Sequence, residues 1–131
     1  LLLSAQANVV CMCVTTPVTF LEVIDGDSIW LKKEGEKVLV HFSEVDAPEI
    51  NEPGKTLVCP QDQRKARQAR DLILEMLSSA KEVGLIIKEE FSELELRAQV
   101  YADGLSVGQE LLYKYLAVEG WGNWCEAKKS D

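Results

Sequence analysis

This chain of 131 residues has a single histidine, no long apolar run and no excess of positive charge. His41 is the only histidine, and the only closely spaced cysteines form a C-x-C pair, so the sequence does not have a zinc-site spacing. No stretch approaches the roughly 20 apolar residues that a membrane-spanning helix needs. No internal repeat or low-complexity linker divides the chain. With 47% apolar residues, it is expected to fold as one compact domain.

Acidic residues outnumber basic ones, 22 to 14, which gives a formal net charge of -8. A protein that simply coats nucleic acid is normally basic, so this chain must bind anions through a metal or a focused patch, or not at all. Residues 55–70 contain one such patch, with a local charge of +4 from five basic residues and one acidic residue. The basic residues are Lys55, Arg64, Lys65, Arg67 and Arg70. The simpler interpretation of most of these side chains is a solvated helix face.

The four cysteines leave two possibilities open. Two disulfides would suit an exported protein, and Cys11 and Cys13 would then pair with Cys59 and Cys125, because neighbours one residue apart rarely bridge. Buried free thiols are the alternative.

The first seven residues, Leu-Leu-Leu-Ser-Ala-Gln-Ala, resemble the end of a signal peptide with its cleavage site. We therefore predict a leader over 1–17, a folded domain over 18–131 and a secreted or periplasmic location. The same segment could equally lead into the first strand.

The hydrophobic pattern predicts strands, a helix, further strands and a second helix. Strands are expected at 18–24, 28–32, 37–45, 84–90 and 94–101, with a hairpin turn at 33–36. A helix should begin at Pro60 and present an apolar face from Ala66 to Ala80. Ser106 and Gln109 form a capping box that starts the next helix, whose apolar face includes Tyr115. Five short strands interrupted by a helix predict a β-rich α+β fold, a small closed barrel of the OB type.

Two short acidic runs follow apolar, strand-like stretches. They are Asp25-Gly26-Asp27 and Asp46-Ala47-Pro48-Glu49. Either run alone is an ordinary turn sequence. Together they predict one site, because crowded carboxylates repel each other unless a cation is bound, and hard oxygen ligands suit Ca²⁺ or Mg²⁺.

The sequence resembles the staphylococcal nuclease (thermonuclease) family from about Thr19 to Trp121. The matching segments are Val23–Ser28, Val45–Glu49, Cys59-Pro60 with Ala66 and Ala69, Arg97, Tyr101–Gly104, and Leu111-Leu112 with Leu116-Ala117. No single segment is decisive, but their order and spacing are specific. The resemblance implies a five-stranded OB barrel with about three helices, and Ca²⁺-dependent hydrolysis of phosphodiester bonds in DNA and RNA.

The resemblance also implies a role for each matching residue. Asp27 and Asp46 would bind calcium through their side chains, and Ala47 through its backbone carbonyl. Glu49 would act as general base on the attacking water or orient it, which a carboxylate can do. Arg97 would bind the phosphate, since a guanidinium suits its bidentate geometry. Taken alone, Arg97 could be a strand arginine in a surface ion pair, and Asp25 is expected to shape its turn.

Three departures from the family pattern concern the phosphate-binding part of the site. His41 occupies the position of a second arginine, five residues before Asp46, and an imidazole with an unperturbed pKa of about 6.5 is mostly neutral at pH 7. The usual D-x-x-G-R run is replaced by Glu-Leu-Glu-Leu-Arg at 93–97, which places carboxylates near Arg97. The net negative charge opposes electrostatic capture of nucleic acid.

Three functions follow as expectations. The first is a monomeric, calcium-dependent phosphodiesterase of low activity on DNA or RNA. The second is a degenerate domain that binds single-stranded nucleic acid without cutting it, using stacking and the 55–70 segment. The third is a protein-interaction module that retains only the scaffold.

Overall fold

Five strands close into a barrel in the computed structural model, which describes residues 13–43, 45–48 and 63–120. The barrel strands are β1 (Thr16–Asp25), β2 (Ser28–Lys33), β3 (Glu36–Phe42), β5 (Val83–Ser92) and β6 (Glu95–Ala102). Neighbouring strands run antiparallel in the order β3-β2-β1-β5-β6, and a parallel pairing of β3 with β6 closes the circle. The β-rich α+β class and the OB-like barrel are therefore confirmed.

Short strands and two helices complete the described part of the chain. Strand β4 (Val45–Asp46) pairs with β8 (Val118–Glu119), and β7 (Leu105–Ser106) pairs with β6 outside the barrel. Helix α1 (Gln63–Ser79) packs on β1, and α2 (Val107–Tyr113) packs on β6. Among these residues there are two helices, where the family resemblance implied about three. The expected start of the first helix at Pro60 lies outside the described residues.

Alternating side chains fill the barrel. Ile29, Leu31, Val38, Val40 and Leu96 are no more than 1% exposed and form the centre of the core. Helix α1 covers the barrel with one buried face of Ala66, Ala69, Ile73 and Leu77. Because successive residues of a strand point to opposite faces, this alternation turns His41 and Arg97 away from the core.

Two local predictions are confirmed. In the β2–β3 hairpin, Glu34 and Gly35 both have positive φ, 52° and 82°, as a two-residue type I′ turn requires. At the start of α2, the Ser106 hydroxyl accepts a hydrogen bond from the N–H of Gln109 across 3.1 Å, as the capping sequence predicted.

Two other predictions are wrong in detail. The third strand ends at Phe42 rather than at Val45, and the N–H of Ser43 donates to the carbonyl of Ala98 at 2.8 Å. Val45 instead begins the separate strand β4. Tyr115 does not lie on a helix face, because α2 ends at Tyr113 and Tyr115 has a left-handed φ of 60° with 78% of its surface exposed.

Two further features bear on the environment of the protein. In the part of the chain that the structure describes, no helix is long and apolar enough to cross a membrane. Cys13 is disulfide-bonded. The other three cysteines, and most of the leader predicted over 1–17, lie outside the described residues, and β1 begins at Thr16, just before the predicted domain boundary.

Candidate metal and phosphate site

A row of polar residues crosses the barrel from strand to strand. Ser28 on β2 is the register partner of His41 on β3, His41 is the partner of Arg97 on β6, and Arg97 is the partner of Glu89 on β5. Register partners on neighbouring strands share a face of the sheet. Barrel closure therefore brings together His41 and Arg97, which the sequence separates widely, and adds Glu89 beside them.

The turn between β1 and β2 forms one end of this row. Oδ1 of Asp25 accepts hydrogen bonds from the hydroxyl of Ser28 at 2.6 Å and from the N–H of Asp27 at 3.2 Å. An aspartate that binds the backbone two residues further on stabilises a turn. Asp25 thus shapes the turn, as the sequence predicted, and leaves Asp27 to project beyond it.

The two acidic runs meet at Asp27. Its Oδ2 accepts a hydrogen bond from the N–H of Ala47 at 3.2 Å, across 20 residues of sequence. Gly26 makes this approach possible: a Cβ at that position would lie 2.6 Å from the Cβ of Ala47 and 2.9 Å from the Cβ of Ala69. The turn, strand β4 and helix α1 therefore converge around a glycine that could not be replaced by a larger residue without a shift.

The carboxyl of Asp27 is strongly perturbed. Its pKa is raised to about 9, first by burial and then by the negative charge of Asp25, a hydrogen bond with the Asp25 side chain and the negative charge of Asp46. The hydrogen bond from the Ala47 N–H acts in the opposite direction. Asp27 is thus a half-buried carboxyl whose negative charge the protein opposes, and a bound cation would supply the missing compensation.

The oxygen donors at this point fit calcium chemically. A calcium ion here would take carboxylates from Asp27 and Asp46 and the backbone carbonyl of Ala47, which are ligand types that Ca²⁺ accepts together with water. Across residues 13–43, 45–48 and 63–120, no group of three or more His, Cys, Asp or Glu side chains has the arrangement of a metal site. Two side-chain ligands are therefore what the described residues offer, and Glu49 lies outside them.

Two ion pairs occupy the other side of the row. Nε2 of His41 lies 2.7 Å from Oε2 of Glu95, and Nη1 of Arg97 lies 2.7 Å from Oε1 of Glu89. Phe91 lies against both side chains: its ring meets that of His41 edge-on with centroids 6.1 Å apart, and the Arg97 guanidinium carbon lies 4.8 Å from its centroid. Both groups that would face a phosphate thus already have a carboxylate partner.

Sequence reasoning placed the competing carboxylates near Arg97 but did not identify the one that binds it. Glu95 pairs with His41, and Glu93 lies exposed in the β5–β6 turn. Glu89 and Phe91 were not singled out as site residues. Their signal in the sequence is their spacing of two on one strand, which puts both on the face that carries Arg97.

The basic segment of residues 55–70 approaches the acidic turn at Ala69, whose Cβ lies 2.9 Å from where a Cβ on Gly26 would be. Its described part is the first half of α1, where Lys65 Nζ donates to the carbonyl of Tyr115 at 3.1 Å and Arg70 lies 3.5 Å from Asp71. Arg64 and Arg67 are exposed. Exposed side chains and contacts of this kind are typical of a solvated helix face.

Comparison with known proteins adds no relative. The chain matches no protein-family model, and a search of curated proteins finds no match to it.

Proposed function

We propose that this chain is a calcium-dependent phosphodiesterase of low activity that acts on DNA or RNA. The observation that supports the proposal best is the contact between Asp27 and Ala47, which joins the two acidic runs around a carboxyl with a strongly raised pKa. Raised carboxyl pKa values and converging charged residues are characteristic of functional sites. The family resemblance supplies the reaction.

Each residue has a proposed task. Asp27, Asp46 and the Ala47 carbonyl would hold calcium, which would neutralise charge on the phosphodiester when bound. Glu49 would take a proton from the attacking water, or orient it. Arg97 would bind a non-bridging oxygen, and His41 would lie beside it as the register partner on β3.

The paired state of the cationic groups explains why we expect low activity. Arg97 is only 18% exposed at its side chain and is held by Glu89, and His41 is held by Glu95. A phosphate must displace or share these carboxylates before it gains two charge-assisted hydrogen bonds. Loss of one charge-stabilising group costs about 10²–10³ in rate in other enzymes.

A nuclease assay tests the proposal. Purified protein should cut single-stranded DNA or RNA slowly in Ca²⁺, and the cutting should stop when Ca²⁺ is chelated. Glu49→Gln should abolish cutting without changing the circular dichroism spectrum. Asp71→Asn is the matched control, because Asp71 is an exposed helix carboxylate whose loss should leave the rate unchanged. Intact DNA and RNA after incubation over pH 6–10, also with His41→Arg, would refute the proposal.

A second candidate is a domain that binds single-stranded nucleic acid or a protein without cutting. The two carboxylate pairs at His41 and Arg97 favour it, because they neutralise the residues that would grip a phosphate. Calcium binding together with complete absence of cutting would favour this candidate. If the protein then shows no salt-dependent binding to oligonucleotides, the remaining version of this candidate is a domain that binds a protein partner.

We also propose that the protein works in an oxidising compartment, secreted or periplasmic, and as a monomer. The disulfide at Cys13 supports the first part, since disulfides persist outside the reducing cytosol. Sedimentation of the purified protein with and without a reductant tests both parts.

A further inference from the structure

We infer that Glu89 is a built-in competitor for the Nη1 group of Arg97, so that a phosphate gains this hydrogen-bond donor only when the Glu89–Arg97 pair opens. The inference rests on the proposed function, because it assumes that Arg97 meets a phosphate. It identifies Glu89 as the residue that limits contact between Arg97 and a phosphate, by competition for the same hydrogen-bond donor.

The geometry of the pair supports a competitive role. A carboxylate oxygen 2.7 Å from a guanidinium nitrogen has the distance of a charge-assisted hydrogen bond, the same bond that a phosphate oxygen would form. The two acceptors are chemically alike, so both cannot use the same N–H at once. Half of the Glu89 side chain is exposed, against 18% for Arg97. The carboxylate can therefore move into solvent, while the guanidinium stays in place.

The strand that carries Glu89 is shaped to place it there. Register shifts interrupt the β5–β6 pairing between Ile87 and Glu89 and again between Glu90 and Ser92. Such irregularities redirect side chains near sites. Phe91, two residues further along on the same face, lies against both Arg97 and His41. Phe91 thus packs against the guanidinium, while the half-exposed carboxylate of Glu89 can exchange for an anion.

The tip of β5 offers a matched control. Glu90 is an exposed neighbour of Glu89 on the opposite face of the strand. Glu89→Gln and Glu90→Gln have identical net charge and composition. Any difference in anion binding between them reports the release of Arg97 rather than a general reduction of negative charge.

The experiment measures binding of a fluorescent decathymidylate by anisotropy, in EDTA so that no calcium-dependent cutting occurs. We expect Glu89→Gln to bind about fivefold more tightly than Glu90→Gln, the effect of removing one partly exposed charge partner. The plot of log affinity against log salt concentration should steepen by about 1, which corresponds to one additional phosphate contact. Adding Arg97→Gln to Glu89→Gln should cancel the gain. If Glu89→Gln does not fold, Glu89→Thr tests the same point with a good strand former.

The outcomes separate this inference from the proposed function. The competitive role of Glu89 is overturned if the Glu89→Gln and Glu90→Gln proteins bind the oligonucleotide with equal affinity. It is also overturned if the gain in affinity of Glu89→Gln persists when Arg97→Gln is added. Tighter binding by Glu89→Gln without cutting in Ca²⁺ supports the competitor and refutes hydrolysis. If the wild-type protein cuts in Ca²⁺, and Glu89→Gln changes neither the cutting rate nor the oligonucleotide affinity, hydrolysis is supported and the competitive role of Glu89 is refuted.

Discussion

The N–H of Ala47 donates a hydrogen bond to Oδ2 of Asp27 across 3.2 Å, and this contact unites two acidic turns that the sequence keeps 20 residues apart. It places a carboxyl with a pKa of about 9 beside the short strand that contains Asp46. The predictions below follow from this contact and from the ion pairs next to it.

The stability of the metal-free protein should fall as pH rises from about 4 to about 9. Asp27 keeps its proton in the folded protein up to its pKa of about 9, whereas an unfolded aspartate loses its proton near the ordinary pKa of 3.8. The folded state therefore binds the extra proton in this range, and stability decreases with pH. Urea unfolding in EDTA at several pH values measures the slope.

Asp27→Asn provides the comparison, because an amide oxygen can still accept the Ala47 N–H but does not titrate. Its stability should fall less with pH than that of wild type. Asp71→Asn should keep the wild-type slope. Identical slopes in all three proteins would contradict the assignment of the raised pKa to Asp27.

Calcium should bind more tightly as pH rises towards 9, because the ion must displace the proton of Asp27. Titration calorimetry in two buffers of different ionisation enthalpy should show release of up to one proton per calcium near neutral pH. Asp27→Asn and Asp46→Asn should each lower the affinity by more than about tenfold, since each removes a charged ligand. Unchanged affinity in both variants would place the calcium elsewhere.

Gly26→Ala should destabilise the protein by about 1–3 kcal/mol, the usual cost of overpacking. The new methyl group would meet Ala47 at 2.6 Å and Ala69 at 2.9 Å. Chemical denaturation measures the loss, and calcium affinity should fall with it because the turn carries Asp27. Gly108→Ala is the matched control: its Cβ would meet Val45 at an ordinary 3.5 Å, so the protein should be unchanged or more stable.

His41→Arg alone should raise the cutting rate little, because Glu95, 2.7 Å from the present imidazole, would pair with the new guanidinium. His41→Arg combined with Glu95→Gln should raise it by about 10² or more, the effect of one preorganised charge-stabilising group. The rate of single-turnover cleavage of a labelled oligonucleotide distinguishes the single variant from the double variant. The charge-matched control is His41→Arg combined with Glu93→Gln instead of Glu95→Gln. A single variant as active as the double would show that Glu95 does not restrain position 41.

The sequence predicted that the two acidic runs meet, but it did not predict which carboxylate pairs with Arg97, for a physical reason. Asp27 and Asp46 each follow a strand-like apolar run, so local pattern places both beside strand ends. The pairing of Arg97 with Glu89 depends on register shifts in β5, which alternation does not encode. The third strand was predicted too long because Val45 is a further β-branched apolar residue close behind Phe42, although it falls outside the alternation of Val38, Val40 and Phe42. Glu49 lies outside the described residues, so its role stays a prediction.

Closure of the barrel also sets the order in which the site can form during folding. The hairpin of β2 and β3 joins adjacent segments, whereas the pairing of β3 with β6 brings together residues such as His41 and Glu95, 54 positions apart. Contacts at long sequence separation are slow to form because the loop must first lose its entropy. The acidic turn and the Glu89–Arg97 pair, eight residues apart on neighbouring strands, can form early. His41 meets Glu95 and Arg97 only when β3 pairs with β6. Hydrogen exchange during refolding should therefore protect Leu31 before Leu39, whose N–H donates to the Leu94 carbonyl.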